Sequence, residues 1–69
     1  MHNKIIEFVI ENDGEFLMAV PYRRSSSFAR WSVNKYDAVR LPSESVATMI
    51  AKRLGGKVLR FDRFTGELW

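Results

Sequence analysis

Asn12-Asp13-Gly14 stands between two apolar, alternating runs and constrains the fold more than any other feature of the chain. An Asp-Gly pair supplies the two positive-φ residues of a two-residue hairpin turn, so the flanking runs are expected to pair as antiparallel strands. The first, Ile5-Ile6-Glu7-Phe8-Val9-Ile10, is β-branched and aromatic. A period of two places Ile6, Phe8 and Ile10 on one face and Ile5, Glu7, Val9 and Glu11 on the other. The return strand runs from Glu15 to Val20, with Phe16, Met18 and Val20 alternating against Glu15, Leu17 and Ala19. Pro21 ends it, since proline has no N–H for the ladder.

Downstream, one segment carries a full set of helix signals. Pro42 precedes Ser43, a good N-cap, and Glu44 falls in the first turn, where the helix dipole favours an acid. Ala47, Ile50, Ala51 and Leu54 recur at i, i+3, i+4 and i+7 and form one apolar stripe. Lys52 and Arg53 close the last turn, and Gly55 is placed for a left-handed C-cap, with Gly56 turning the chain back. Lys57 to Asp62 then reads as a strand, and Arg63 to Trp69 as a tail with a Thr65-Gly66 turn and a last short pairing segment. Between hairpin and helix the signals are weaker. Tyr22 to Arg30 reads as a basic, serine-rich loop, Trp31-Ser32-Val33 as a short strand and Asn34 to Asp37 as a turn. Ala38-Val39-Arg40-Leu41 reads either as an edge strand or as the approach to the helix. The expected fold is a single α+β domain over residues 1–69, a small antiparallel sheet with one helix packed on a face.

The chain has 69 residues, too few for a second domain or a large catalytic cleft. It has no cysteine, and His2 is its one histidine, so neither a disulfide nor a zinc site is expected to staple the core. Nine aromatics, Trp31 and Trp69 among them, or a homodimer would have to stabilise it. No signal peptide or membrane span is visible, which points to a cytoplasmic protein. The net charge of +3 is unevenly spread: residues 1–15 carry −3, residues 16–35 carry +4 and residues 36–69 carry +2.

Catalytic patterns are poor. A nucleophilic triad would have to use His2 near the first residue, and Glu7, Glu11 and Glu15 have no cleft in which to act as acid and base. Gly55-Gly56 follows a helix instead of opening one, so it is a cap and not a phosphate cradle. The unusual stretch is 22–36, where Arg23, Arg24, Arg30 and Lys35 are interleaved with Tyr22, Phe28, Trp31 and Tyr36. Such a mixture suits a protein interface, whose hot spots favour Arg, Tyr and Trp. It also suits nucleic acid, with cations on phosphates and rings on bases. The plain alternative is that Trp31 and Tyr36 are core and the arginines solvated. Glu7, Glu11 and Glu15 form a candidate acidic face that would mimic phosphates toward a basic groove. Lys52, Arg53, Lys57, Arg60 and Arg63 read as an ordinary charged surface. Arg23-Arg24-Ser25-Ser26 matches a basophilic kinase site only as a short string.

One wider pattern runs through Phe8-Val9-Ile10, Asn12-Asp13-Gly14-Glu15-Phe16-Leu17, Trp31, Asp37-Ala38-Val39-Arg40-Leu41-Pro42-Ser43, Ala47, Ala51 and Leu54-Gly55-Gly56-Lys57-Val58. This layout resembles a group of very short phage and prophage proteins of unknown function, over roughly residues 8–61. In size and expected fold the chain is also similar to small anti-CRISPR proteins. That resemblance implies a non-enzymatic inhibitor without a cofactor, acting in a bacterial host by covering a surface of a nucleic-acid-handling protein or ribonucleoprotein complex. The candidate contacts, taken from the basic-aromatic stretch itself, are Arg23, Arg24, Phe28, Arg30, Trp31, Lys35 and Tyr36. Direct nucleic-acid binding by residues 22–36, or a structural homo-oligomer, would be the other roles for such a chain.

Overall fold

The computed structural model describes residues 5–19 and 29–69. Their elements follow the order β1 (Ile6–Asn12), β2 (Glu15–Ala19), β3 (Arg30–Ser32), a 3-10 turn (Lys35–Asp37), α1 (Glu44–Leu54) and β4 (Lys57–Asp62). The strands form one antiparallel sheet in the order β3-β2-β1-β4. A small α+β fold is therefore present, with the hairpin where the Asp-Gly pair places it. Asp13 and Gly14 have φ of 55° and 83°, the pair of positive values that matches the twist of the flanking strands.

β1 is the spine. It pairs with β4 from Ile6↔Asp62 to Glu11↔Lys57, but with β2 only at Glu11↔Phe16 and Asn12↔Glu15. Where β1 and β2 part, residues 38–41 enter between them. Phe8 and Leu41 exchange both backbone hydrogen bonds at 2.8 Å, and the Val39 N–H donates to the Leu17 carbonyl at 2.8 Å. Backbone groups that the diverging strands would leave unpaired are satisfied in this way. Ala38-Val39-Arg40-Leu41, legible in the sequence as an edge strand or a helix approach, is thus a wedge inside the sheet.

The wedge keeps strand alternation. Val39 and Leu41 join Ile10, Leu17 and Ala51 in one core cluster, together with Trp31, Ile50, Leu54 and Val58. Ala38 joins Val9 and Phe61 in a second cluster, flanked by Phe16, Leu59 and Leu68. Both faces of β1 are consequently covered. α1 lies over the face that carries Ile10 and touches β4 and β1. Its two buried residues, Ala47 and Ala51, are small and let the helix axis approach the strands closely. The Val9 face is covered by irregular chain instead, from the 3-10 turn, the wedge and the C-terminal tail.

Capping follows the expected chemistry, with one difference. The Ser43 hydroxyl accepts from the Val46 N–H, and the Gly55 N–H donates to the Ala51 carbonyl at 2.8 Å. Gly55 has φ 80° but ψ 127°, so it is not in the left-handed helical region. The chain leaves the helix extended and enters β4 at once, and Asn12 Nδ2 holds the Gly55 carbonyl at 2.9 Å. A Cβ on Gly56 would lie 3.0 Å from both the Glu11 carbonyl oxygen and Ile10 Cγ2. Gly56→Ala is therefore expected to destabilise the fold by about 2 kcal/mol, because backbone and core would both have to give. Urea denaturation checks it.

The tail does form a last pairing segment. Arg60 and Trp69 exchange backbone hydrogen bonds, and the Asp62 N–H donates to Glu67, so 67–69 lie along the outer edge of β4. Asp62, 4% exposed, closes the turn: its Oδ1 accepts from the Phe64 and Thr65 N–H groups at 2.8 and 3.2 Å.

Candidate functional site

The register sorts the basic-aromatic stretch onto two sides of the sheet. Arg23, Arg24 and Phe28 lie outside the described residues, as does the Arg23-Arg24-Ser25-Ser26 string and all but the end of the 22–30 loop. Trp31 pairs with Leu17 and packs into the Ile10 cluster under α1, so it is partly buried in the core. Arg30 begins β3 opposite Ala19 and is exposed. Lys35 and Tyr36 stand in the 3-10 turn on the opposite side, over Phe61. Trp31 and Tyr36, neighbours in the sequence reading, therefore do not share a surface.

Tyr36 is exposed at 58%, as are Phe64 at 60% and Trp69 at 43% among the described residues, and it is held from several directions. Asn34 Oδ1 accepts from the Tyr36 N–H at 2.9 Å, and Ser32 Oγ accepts from the Asn34 N–H at 3.0 Å while donating to Asp37 Oδ2 at 2.9 Å. These bonds fix the turn. The ring meets Phe61 edge to face, centroids 6.3 Å apart with an interplanar angle of 88°, the arrangement that aromatic quadrupoles prefer. Its hydroxyl lies against Gly66, where a Cβ would come within 2.6 Å. Lys35 Nζ stands 5.3 Å from the Tyr36 centroid, and Arg40 Cζ 5.2 Å from that of Phe61. Lys35, Tyr36, Phe61 and Arg40 thus form a ladder, a cation at each end and two rings between. Phe61 is 1% exposed, so of the two rings Tyr36 is the one that reaches solvent.

Arg40, Phe61 and Gly66 were not among the residues that the sequence marked for contact. Arg40 left one usable signal, a base at the alternate position of an apolar tetrapeptide. Gly66 and Phe61 left none, because their role depends on a tail that folds back over twenty residues from Tyr36.

The carboxylates are not gathered into an acidic face. Glu11 pairs with Lys57 and Glu7 with Arg63, each at 3.9 Å, while Glu15 lies opposite Asn12 on the helix side. Such partly exposed pairs add little stability but neutralise the field of the acids. Glu7 Oε1 is buried and, among the described residues, makes no hydrogen bond. The second basic set is divided as well. Lys57 and Arg63 stand on the Tyr36 side, Lys52, Arg53 and Arg60 on the helix side.

All of the formal +3 resides in Lys4, Arg23 and Arg24, outside the described residues, which themselves hold eight bases and eight acids. On the Tyr36 side Arg30, Lys35, Arg40, Lys57 and Arg63 outnumber Glu7, Glu11 and Asp37.

Two shallow depressions, both open to solvent, flank the hairpin tip. One is lined by Glu11, Asn12, Asp13, Gly14, Gly56 and Lys57, the other by Asn12, Asp13, Glu15 and Trp31. Among the described residues no three His, Cys, Asp or Glu side chains are grouped to hold a metal ion, and no helix is long and apolar enough to cross a membrane. No family model matches the chain, and no curated protein or solved structure matches it.

Proposed function

We propose that this chain is a non-enzymatic binding module whose contact surface centres on Tyr36. The observation that carries the reading is the half-exposed tyrosine seated on Phe61, with Lys35 over its own ring and Arg40 over that of Phe61. An aromatic that keeps its rotamer when free loses little entropy on docking. Tyrosine and arginine are also the side chains most often found to dominate interface energetics. The partner in this reading is a protein of a nucleic-acid-handling complex in a bacterial cytoplasm. It would be blocked by surface coverage, in the manner of the short phage inhibitors that the chain resembles.

Direct nucleic-acid binding is the second reading, and the charges weigh against it. Three carboxylates stand among the five bases of the Tyr36 side, so a phosphate backbone would meet repulsion beside each attraction.

The test is capture of partners from bacterial lysate by the tagged protein, compared with Tyr36→Ala. Loss of the hot-spot ring is expected to weaken capture of the principal partner by about 2 kcal/mol, some thirtyfold. Unaltered capture by Tyr36→Ala with an intact circular dichroism spectrum rejects the surface. A shift of free oligonucleotide that falls steeply with salt, and no protein partner, favours the second reading.

A further inference from the structure

We infer that the Tyr36 surface takes an acidic protein segment, in which carboxylates on either side of an apolar residue meet Lys35 and Arg40 while the apolar residue packs on Tyr36. The inference rests on the assignment of Tyr36 as the contact ring and adds the chemistry of what binds there.

Three observations carry it. First, the two cations of the ladder have no carboxylate partner within ion-pairing distance among the described residues, whereas Lys57 and Arg63 on the same side are engaged by Glu11 and Glu7. Arg30, Lys35 and Arg40 are thus the bases of this side with charge left to offer, and the last two flank the Tyr36–Phe61 pair. Second, both are seated before binding: each lies over a ring, Lys35 on Tyr36 at 5.3 Å and Arg40 on Phe61 at 5.2 Å. The ring contacts hold the charged heads themselves, so an incoming carboxylate meets cations that are already placed. Third, the Tyr36 side carries a base excess, with Arg30, Lys35, Arg40, Lys57 and Arg63 against Glu7, Glu11 and Asp37. That excess would draw an acidic partner toward Tyr36 before contact. A small, mixed patch of this kind favours an acidic polypeptide, which spaces its charges between apolar side chains, over a polyanion of unbroken charge.

The test is titration of the 15N-labelled full chain with a synthetic peptide alternating Glu and Asp with Leu, with its Gln/Asn counterpart, and with a single-stranded oligo-dT. The acidic peptide is expected to move the amide signals of Lys35, Tyr36 and Arg40, with binding weakened by added salt and about tenfold weaker for the double variant Lys35→Gln, Arg40→Gln. Equal binding of the Gln/Asn peptide at Tyr36 overturns the acidic partner but leaves Tyr36 as the contact ring. Shifts confined to Glu44–Leu54 overturn both. Stronger perturbation by oligo-dT, concentration-dependent shifts of the chain alone, or no shift with the acidic peptide at low salt also overturn the acidic partner. These would transfer the surface to nucleic acid, to a second copy, or to a partner without this chemistry.

Discussion

Phe61→Ala is expected to destabilise the protein by about 3–5 kcal/mol, the usual range for removing a fully buried phenylalanine. Phe61 is the largest of the fully buried side chains and is packed among Val9, Ala38, Phe16, Leu59 and Leu68. Removing it would leave a void beneath the 3-10 turn, the wedge and the C-terminal tail, which all pack over this face. A domain of this size has a total stability of about 3–10 kcal/mol, so the variant should be largely unfolded at 37 °C. The same substitution removes the ring on which Tyr36 rests edge-on and over which Arg40 lies. Phe61→Leu separates the two consequences. It keeps most of the volume, should lose less than about 1.5 kcal/mol, and should still release Tyr36. Thermal unfolding by circular dichroism reads the first effect, and the ring-proton chemical shifts of Tyr36 read the second.

Gly66→Val is the second large effect. Gly66 has φ +76°, and a Cβ there would lie 2.6 Å from the Tyr36 hydroxyl and 3.0 Å from Cε1. The backbone term is about 1–2 kcal/mol for an L-residue in this region, more with a β-branch. The steric term falls on Tyr36, whose hydroxyl end must swing away from the tail. About 3 kcal/mol is expected in total, with the Tyr36 ring displaced from Phe61. Gly14→Ala is the control. Its φ is +83°, but no atom lies within 4 Å of the new Cβ, so only backbone strain of about 1 kcal/mol should appear and Tyr36 should stay in place. Equal stabilities for the two variants would mean that the tail does not seat the tyrosine.

The elements that the sequence made legible are those whose signals are local. Asp13-Gly14 set the hairpin, Ser43 and Gly55 bounded the helix, and its stripe Ala47, Ile50, Ala51 and Leu54 faces the sheet as its spacing required. The Val9 face was not legible, because its cover has no period. Ala38–Leu41 enters the sheet through a pairing with Phe8 more than thirty residues away, and Leu68 returns along β4 only after Asp62 has closed a turn. The site was half legible for the same reason. Trp31 and Tyr36 read alike, as aromatics among bases. What separates them is that Trp31 sits in a strand opposite Leu17, which commits its side chain to the helix side, while Tyr36 sits in a 3-10 turn held by Asn34 and Ser32 on the other. Glu7 and Glu11 share a strand face as alternation required, but the bases that neutralise them, Arg63 and Lys57, come from β4 and the turn after it.

Site-specific photo-cross-linking probes the contact surface most directly. A benzophenone side chain placed at position 36, and in a second protein at Met49 on the exposed side of α1, would be irradiated in bacterial lysate. The expected result is one dominant protein adduct from position 36 and none of that species from position 49. The same adduct from position 49, with none from position 36, would contradict the assignment of the Tyr36 face as the binding surface.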